Sequence, residues 1–282
     1  MGITESLNID AKFRKATAFI QQGNTLAAIQ IYKNLLLIPE AERKATIKLA
    51  DIYDQAGNLN SAVELFEAYL KHNSDDSEII KLVSYFLVRN SLFTEARRFI
   101  NKFDIKDENM DFLRGVVNFH TQKFVDSHKI FTEFITKYNS SELLPSVLFY
   151  LSKIYFINSD FDSALKAVKK SIELLGDNPE AYKLEADIYF NKEMYYHANE
   201  SIGKALKLNP SVIAWRHFQI KILILLDEIN KVKEKLHTVI DESPSSAEIL
   251  YMIGKWHLQK NEKKEANRYF AIAETINQKL AK

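Results

Sequence analysis

The chain has 282 residues, with 38 Lys and Arg against 37 Asp and Glu, for a formal net charge of +1. That balance argues against a dedicated nucleic-acid surface, and the lack of any Cys removes disulfides, thiol nucleophiles and thiolate metal sites. Seven Gly and five Pro, beside 18 Phe and 13 Tyr, suit a mostly helical chain rich in aromatic filler.

The first stretch, MGITESLNIDAKFRKA, has no apolar core, so no signal peptide is expected and residues 1–8 read as a short lead. From about residue 9 the chain alternates apolar-periodic runs with short polar turns. These turns contain Gly23-Asn24 and Ala56-Gly57-Asn58, and the runs are punctuated by Ser74-Asp75-Asp76-Ser77, Pro179, Pro210 and Pro244. Gly serves a turn that needs φ > 0, and Pro between helices costs little. No run approaches the roughly 18 apolar residues of a membrane span. The longest candidate, Ile220 to Ile229, is interrupted by Lys221 and Asp227. A soluble, cytoplasmic protein is the expectation.

Small residues set a register. Ala164, Ala198, Val232 and Ala266 are each 34 apart, and Ala28, Ala62 and Ala96 share that step. Ser127 lies 31 after Ala96 and 37 before Ala164, so the two irregular steps compensate. Twelve residues before these markers come Ala16, Ala50, Ser84, Gly115, Ser152, Ala186, Ile220 and Gly254. Seven of these eight are small, a coincidence that marks a repeating unit. The reading is eight repeats starting near 9, 43, 77, 108, 145, 179, 213 and 247, in one array over 9–279 with a tail at 280–282 and an irregular step near 104–145.

A period of 34 with helix–turn–helix patterning resembles the tetratricopeptide repeat family. The stretches PEAYKLEADIYFNKEMYYHANESIGKALKLNP and AEILYMIGKWHLQKNEKKEANRYFAIA carry the likeness. The resemblance implies an all-α, right-handed solenoid in which no repeat buries its apolar stripe alone and neighbours must stack. At the end of the chain, Glu274 and Asn277 stand where earlier repeats have Leu206 and Asn209, then Ile240 and Ser243. A charged residue at the docking position suggests that repeat eight caps the array near Lys282.

The resemblance also implies that first helices line a concave groove. That geometry selects Tyr85 and Arg89 in repeat three, Phe112, Phe119 and His120 in repeat four, and Phe149, Lys153 and Phe156 in repeat five. It selects Lys183, Asp187 and Phe190 in repeat six, His217 and Lys221 in repeat seven, and Tyr251 and Lys255 in repeat eight. An aromatic and basic lining suits a peptide or protein segment with apolar and acidic groups. The competing reading of Phe119, Phe156 and Phe190 is burial between neighbouring helices, and that of the lysines a solvated face. The family's clamp for terminal carboxylates needs Asn at the positions held here by Thr17, Asp51, Tyr85, Val116, Lys153, Asp187, Lys221 and Lys255. None is Asn, so that activity is not expected.

Glu185 occupies an inner helical position and needs a partner, with a Lys or Tyr of a neighbouring helix the expected one. There is no HExxH, phosphate loop or glycine-rich fingerprint, and the seven His fall at unlike repeat positions. No enzyme activity, cofactor, metal or nucleic-acid partner is expected. The reading is a non-enzymatic scaffold or adaptor for a protein partner, with a self-assembling homo-oligomeric module as the alternative.

Overall fold

A computed structural model describes residues 3–237, 240 and 243–280. The first two residues of the expected lead, and Ala281 and Lys282 of the expected tail, lie outside the described residues. Those described form sixteen α-helices and no strand. The chain divides into two compact units, Met1–Val117 and Asn118–Lys282. The sequence reading treats 9–279 as one array; the division falls inside its irregular fourth repeat.

The first unit holds α1 (Ile3–Gln21), α2 (Thr25–Leu35), α3 (Pro39–Gln55), α4 (Leu59–Leu70), α5 (Ser77–Arg89), α6 (Phe93–Phe103) and most of α7 (Glu108–His120). Helix α1 starts ahead of residue 9, so the expected lead is itself helical from Ile3. The second unit takes the end of α7, then α8 (Phe124–Lys137), α9 (Leu144–Ile157), α10 (Phe161–Leu175), α11 (Pro179–Asn191) and α12 (Tyr195–Leu208). It closes with α13 (Ile213–Leu225), α14 (Ile229–Leu236), α15 (Pro244–Gln259) and α16 (Lys263–Leu280).

Local chemistry explains the boundaries. The side chains of Asn24, Asn58, Asp76, Asp160 and Asn178 accept backbone N–H bonds at the starts of α2, α4, α5, α10 and α11. Such caps satisfy donors that have no partner inside the helix. Pro39, Pro179 and Pro244 sit in the first turn of their helices, where a missing N–H costs nothing. Each odd-to-even helix turn contains one left-handed residue: Gly23, Gly57, Ser91, Gln122, Ser159, Glu193, Asp227 and Asn261, with φ between 57° and 75°. Their spacing is the register of the small residues, 34 apart except for the steps of 31 and 37 around Gln122.

The register residues form the centre of each hairpin. Ala28, Ala62, Ala96, Ser127, Ala164, Ala198, Val232 and Ala266 are all 0% exposed. Their counterparts on the first helices are buried as well, including Ile220 and Gly254. A Cβ added to Gly254 would lie 2.5 Å from the Phe270 ring, so α15 and α16 touch through the missing side chain. Phe66, Phe131 and Phe134 are fully buried around these crossings. Each such side chain stabilises the fold by about 1.5–3 kcal/mol.

Glu185 is buried, and its partner differs from the expected one. Ser201 on α12 donates its hydroxyl to Glu185 Oε2 at 2.7 Å. Lys169 and Lys204 stand near enough to feel its charge, and their own pKa values are raised, chiefly by hydrogen bonds to Tyr189 and Glu200 respectively.

Candidate protein-binding face

The first helix of each repeat turns one side toward its hairpin partner and leaves another side for contacts with the next first helix. In the first unit, α3 and α5 are joined on that side by Asp54, which accepts from Arg89 and from Asn90 Nδ2, the latter at 3.1 Å. Arg89 is therefore charge-neutralised, while Tyr85, one turn before it, is 43% exposed. Lys81 pairs with Asp107 at 2.8 Å. Phe112 is half-buried against the core of this unit, so it is a packing residue as much as a surface one.

The second unit carries most of the expected face. At the end of α7, Phe119 meets Phe124 at 5.5 Å and Tyr150 at 5.2 Å between ring centres. Lys153 on α9 projects its ammonium over Phe149 at 4.6 Å, Phe119 at 5.8 Å and Tyr150 at 5.9 Å. Desolvation among these rings pulls the Lys153 ammonium below its ordinary range, with Glu180 acting weakly against it. Phe156 packs on Phe161 at 5.8 Å.

On α11, Lys183 pairs with Asp187 at 2.5 Å and lies 4.6 Å over the ring of Phe218 on α13. Phe190 meets the same Phe218 ring at 5.1 Å. Burial raises the Asp187 carboxyl above the usual range, and Lys183 opposes that shift. Further along, Lys221 on α13 pairs with Glu248 on α15 at 2.6 Å. Tyr251 on α15 is 49% exposed and packs on Phe270 at 5.0 Å, with Lys255 4.8 Å over its outer side. Lys153 and Lys255 make no ion pair among the described residues.

His217 corrects the sequence reading. It is 5% exposed, with Nε2 3.4 Å from the hydroxyl of buried Ser246, so it belongs to the packing between α13 and α15. Its neighbour Phe218 takes the surface position instead. Helix α13 is apolar on nearly all sides, so the sequence does not mark which stripe faces inward. The repeat register does not single out Tyr150 or Phe218. The only signal for them is that each is an aromatic one residue past a selected position.

Phe119, Phe156 and Phe190 are half-buried and in ring contact with neighbours. They support the face more than they protrude from it. The protruding groups are Tyr85, Tyr251 and Leu258, the last 47% exposed, together with the lysines.

Two-helix units repeated at one register, with small residues at the register positions of every repeat except Ile220 and Val232 in the seventh, define an all-α helical-repeat solenoid protein. The sequence profile of the tetratricopeptide repeat matches residues 19–84, from the end of α1 into α5. Among solved structures, the C-terminal part of a TPR repeat-containing protein from Cytophaga hutchinsonii is similar at a TM-score of 0.63 and 13% identity, over 82% of this chain and 95% of that one. The Pseudomonas aeruginosa protein pilF is similar at 0.56 and 17% identity, over 76% of this chain and 97% of its own. The protein MamA is similar at 0.52 and 20% identity, over 59% of this chain and 96% of its own. At these identities the likeness is one of fold. No curated protein matches the sequence. Residues 19–84 thus match the tetratricopeptide repeat, and the chain shares the fold of tetratricopeptide repeat proteins, a fold that serves in general as a scaffold for protein–protein interaction. Among the described residues no helix is long and apolar enough to cross a membrane.

Proposed function

We propose that the protein is a non-enzymatic scaffold whose first helices hold a segment of a protein partner. In the second unit the binding face consists of Phe149, Lys153 and Phe156, then Lys183, Asp187 and Phe190, then Lys221, Tyr251 and Lys255. In the first unit Tyr85, Arg89 and Phe112 form a smaller surface of its own. The segment carries apolar and acidic side chains, since aromatic anchors beside cations favour that chemistry.

The observation that carries this reading is the state of α15. Tyr251 and Leu258 are about half exposed on one side of the helix, and Lys255 between them has no carboxylate partner among the described residues. A monomeric surface leaves such apolar groups singly exposed often enough, but here two lie on one helix face with a cation between them in sequence. The solved structure of the Cut9–Hcn1 hetero-tetramer, similar at a TM-score of 0.56 and 12% identity, offers a precedent for this fold within a complex.

A photo-crosslinking amino acid at position 251, and at Tyr196 on α12 as a control, tests the reading. Tyr196 is 71% exposed and sits on a second helix. Partner crosslinks from 251 and not from 196 are expected. Crosslinks from 196 alone would move the binding surface to the second helices. Crosslinks joining two copies of this chain would support the self-assembling alternative, which light scattering at several concentrations also checks.

A further inference from the structure

The surroundings of Lys153 go beyond what packing requires. Three aromatic rings, those of Phe119, Phe149 and Tyr150, lie within 6 Å of its ammonium. Cation–π contact attracts a lysine to the faces of such rings. It leaves the positive charge without a counter-ion, and no ion pair to Lys153 occurs among the described residues. Next to it, His120 Nε2 stands 3.3 Å from the Tyr150 hydroxyl. The Phe119 ring meets both His120 and Tyr150 edge-on, at 5.3 Å and 5.2 Å. Tyr150 is fixed from behind by stacking on fully buried Phe131 at 5.6 Å.

An ammonium, an imidazole and a phenol hydroxyl are thus gathered on a rigid aromatic floor. The ammonium can donate hydrogen bonds to an anion, and it and a protonated imidazole carry positive charge, while the imidazole and the hydroxyl bond each other. We infer that Lys153, flanked by the bonded His120–Tyr150 pair, is the anchor of a preorganised site for one carboxylate side chain, an Asp or Glu of the partner segment, with an apolar neighbour resting on Phe149. This deepens the scaffold reading above and rests on it. A side-chain carboxylate is favoured over a chain terminus because the Asn residues that would hold a terminal carboxylate are absent from the repeat positions from Thr17 to Lys255.

The electrostatics agree with an anion here. Desolvation lowers the His120 pKa and nearby Lys153 lowers it further, while burial raises the Tyr150 hydroxyl. Glu180 is the one acid whose charge reaches Lys153. A bound carboxylate stabilises the charged forms of both cations, so binding takes up protons near the His120 pKa.

The test uses three capped peptides and the full chain followed by NMR. Acetyl-Glu-Phe-amide presents a side-chain carboxylate, acetyl-Gln-Phe-amide none, and acetyl-Gln-Phe with a free C-terminus presents a terminal one. The Glu peptide should shift the His120 and Tyr150 ring signals and raise the His120 pKa. The Gln amide should bind about tenfold more weakly, the scale of one charged hydrogen bond. The variant K153M should lose that discrimination, while K153R keeps part of it. Equal binding of the Glu and Gln amides, or an unmoved His120 titration in the wild-type chain, overturns the inference without recourse to any variant. Tighter binding of the free C-terminus overturns the preference for side chains. If partner crosslinks at position 251 persist while the Glu peptide shows no preference, only this inference falls and the scaffold reading stands.

Discussion

Ser152 donates its hydroxyl to the backbone carbonyl of Ala164 at 2.8 Å, across the crossing of α9 and α10. These are the two register positions, twelve residues apart, that small side chains mark in every repeat but the seventh. The bond is possible because neither residue carries bulk to hold the backbones apart. Glycine at the same place in repeat eight brings a ring into the gap: Phe270 fills the space where a Gly254 side chain would stand.

Two Gly→Ala substitutions should therefore have opposite signs. Gly254→Ala places a methyl 2.5 Å from the Phe270 ring and should destabilise the second unit by about 1–3 kcal/mol, the range for overpacking. Gly203→Ala, in α12, meets nothing nearer than 3.9 Å, so it should gain roughly 0.5–1 kcal/mol of helix propensity. Urea denaturation of both variants checks the pair.

The left-handed turn residues give a second comparison. Ser159 and Gln122 hold φ near 60° with no glycine to ease it. Ser159→Gly and Gln122→Gly should each stabilise by about 1 kcal/mol, since a side chain in the left-handed region costs that much. Asp227→Gly should not follow them. Asp227 accepts from Trp256 Nε1 and pairs with Lys260 at 3.0 Å, tying α15 to the turn before α14. Thermal midpoints of the three variants would separate relieved strain from lost contacts.

A pH dependence follows from Asp76. Its carboxylate takes Arg43 Nε at 2.8 Å, the Tyr69 hydroxyl at 2.9 Å and the Ile79 N–H at 3.1 Å. Partial desolvation works against ionisation, but the bonds from Arg43, Ile79 and Tyr69 outweigh it and hold the carboxyl below its usual range. Tyr69 is pushed up to about 12 by its own burial and by this bond. A carboxyl with a depressed folded pKa stabilises above its unfolded value of about 3.9 and loses that contribution as pH falls through the folded value. Stability of the first unit should thus decline below about pH 4. Asp76→Asn should cost about 2 kcal/mol at pH 7 through the weakened cap and ion pair, and should flatten that decline. Denaturation midpoints between pH 2 and 7 give the comparison.

The buried pair Glu185–Ser201 calls for a double-mutant cycle. Ser201→Ala leaves a buried carboxylate short of a donor and should cost about 1–3 kcal/mol. Glu185→Leu combined with Ser201→Ala should recover most of that loss, because an apolar pair needs no hydrogen bond. Additive losses in the double variant would show that Lys169 and Lys204, not Ser201, hold the carboxylate.

Much of this was legible in the residues themselves. The 34-residue step, the small pairs from Ala16 with Ala28 to Gly254 with Ala266, and the Gly-Asn turns at 23–24 and 57–58 belong to local patterns. Side-chain size and backbone preference act at short range and leave their period in the chain. Which stripe of an apolar helix faces a neighbour, and which charge finds which partner, depends on groups distant in sequence. Hence only the tertiary structure buried His217 and set Phe218 beside Lys183, tied Arg89 to Asp54, gave Glu185 a serine, and set Lys153 among three rings with no ion pair among the described residues. Those outcomes are fixed by packing against groups distant in sequence and are invisible to a count along the chain.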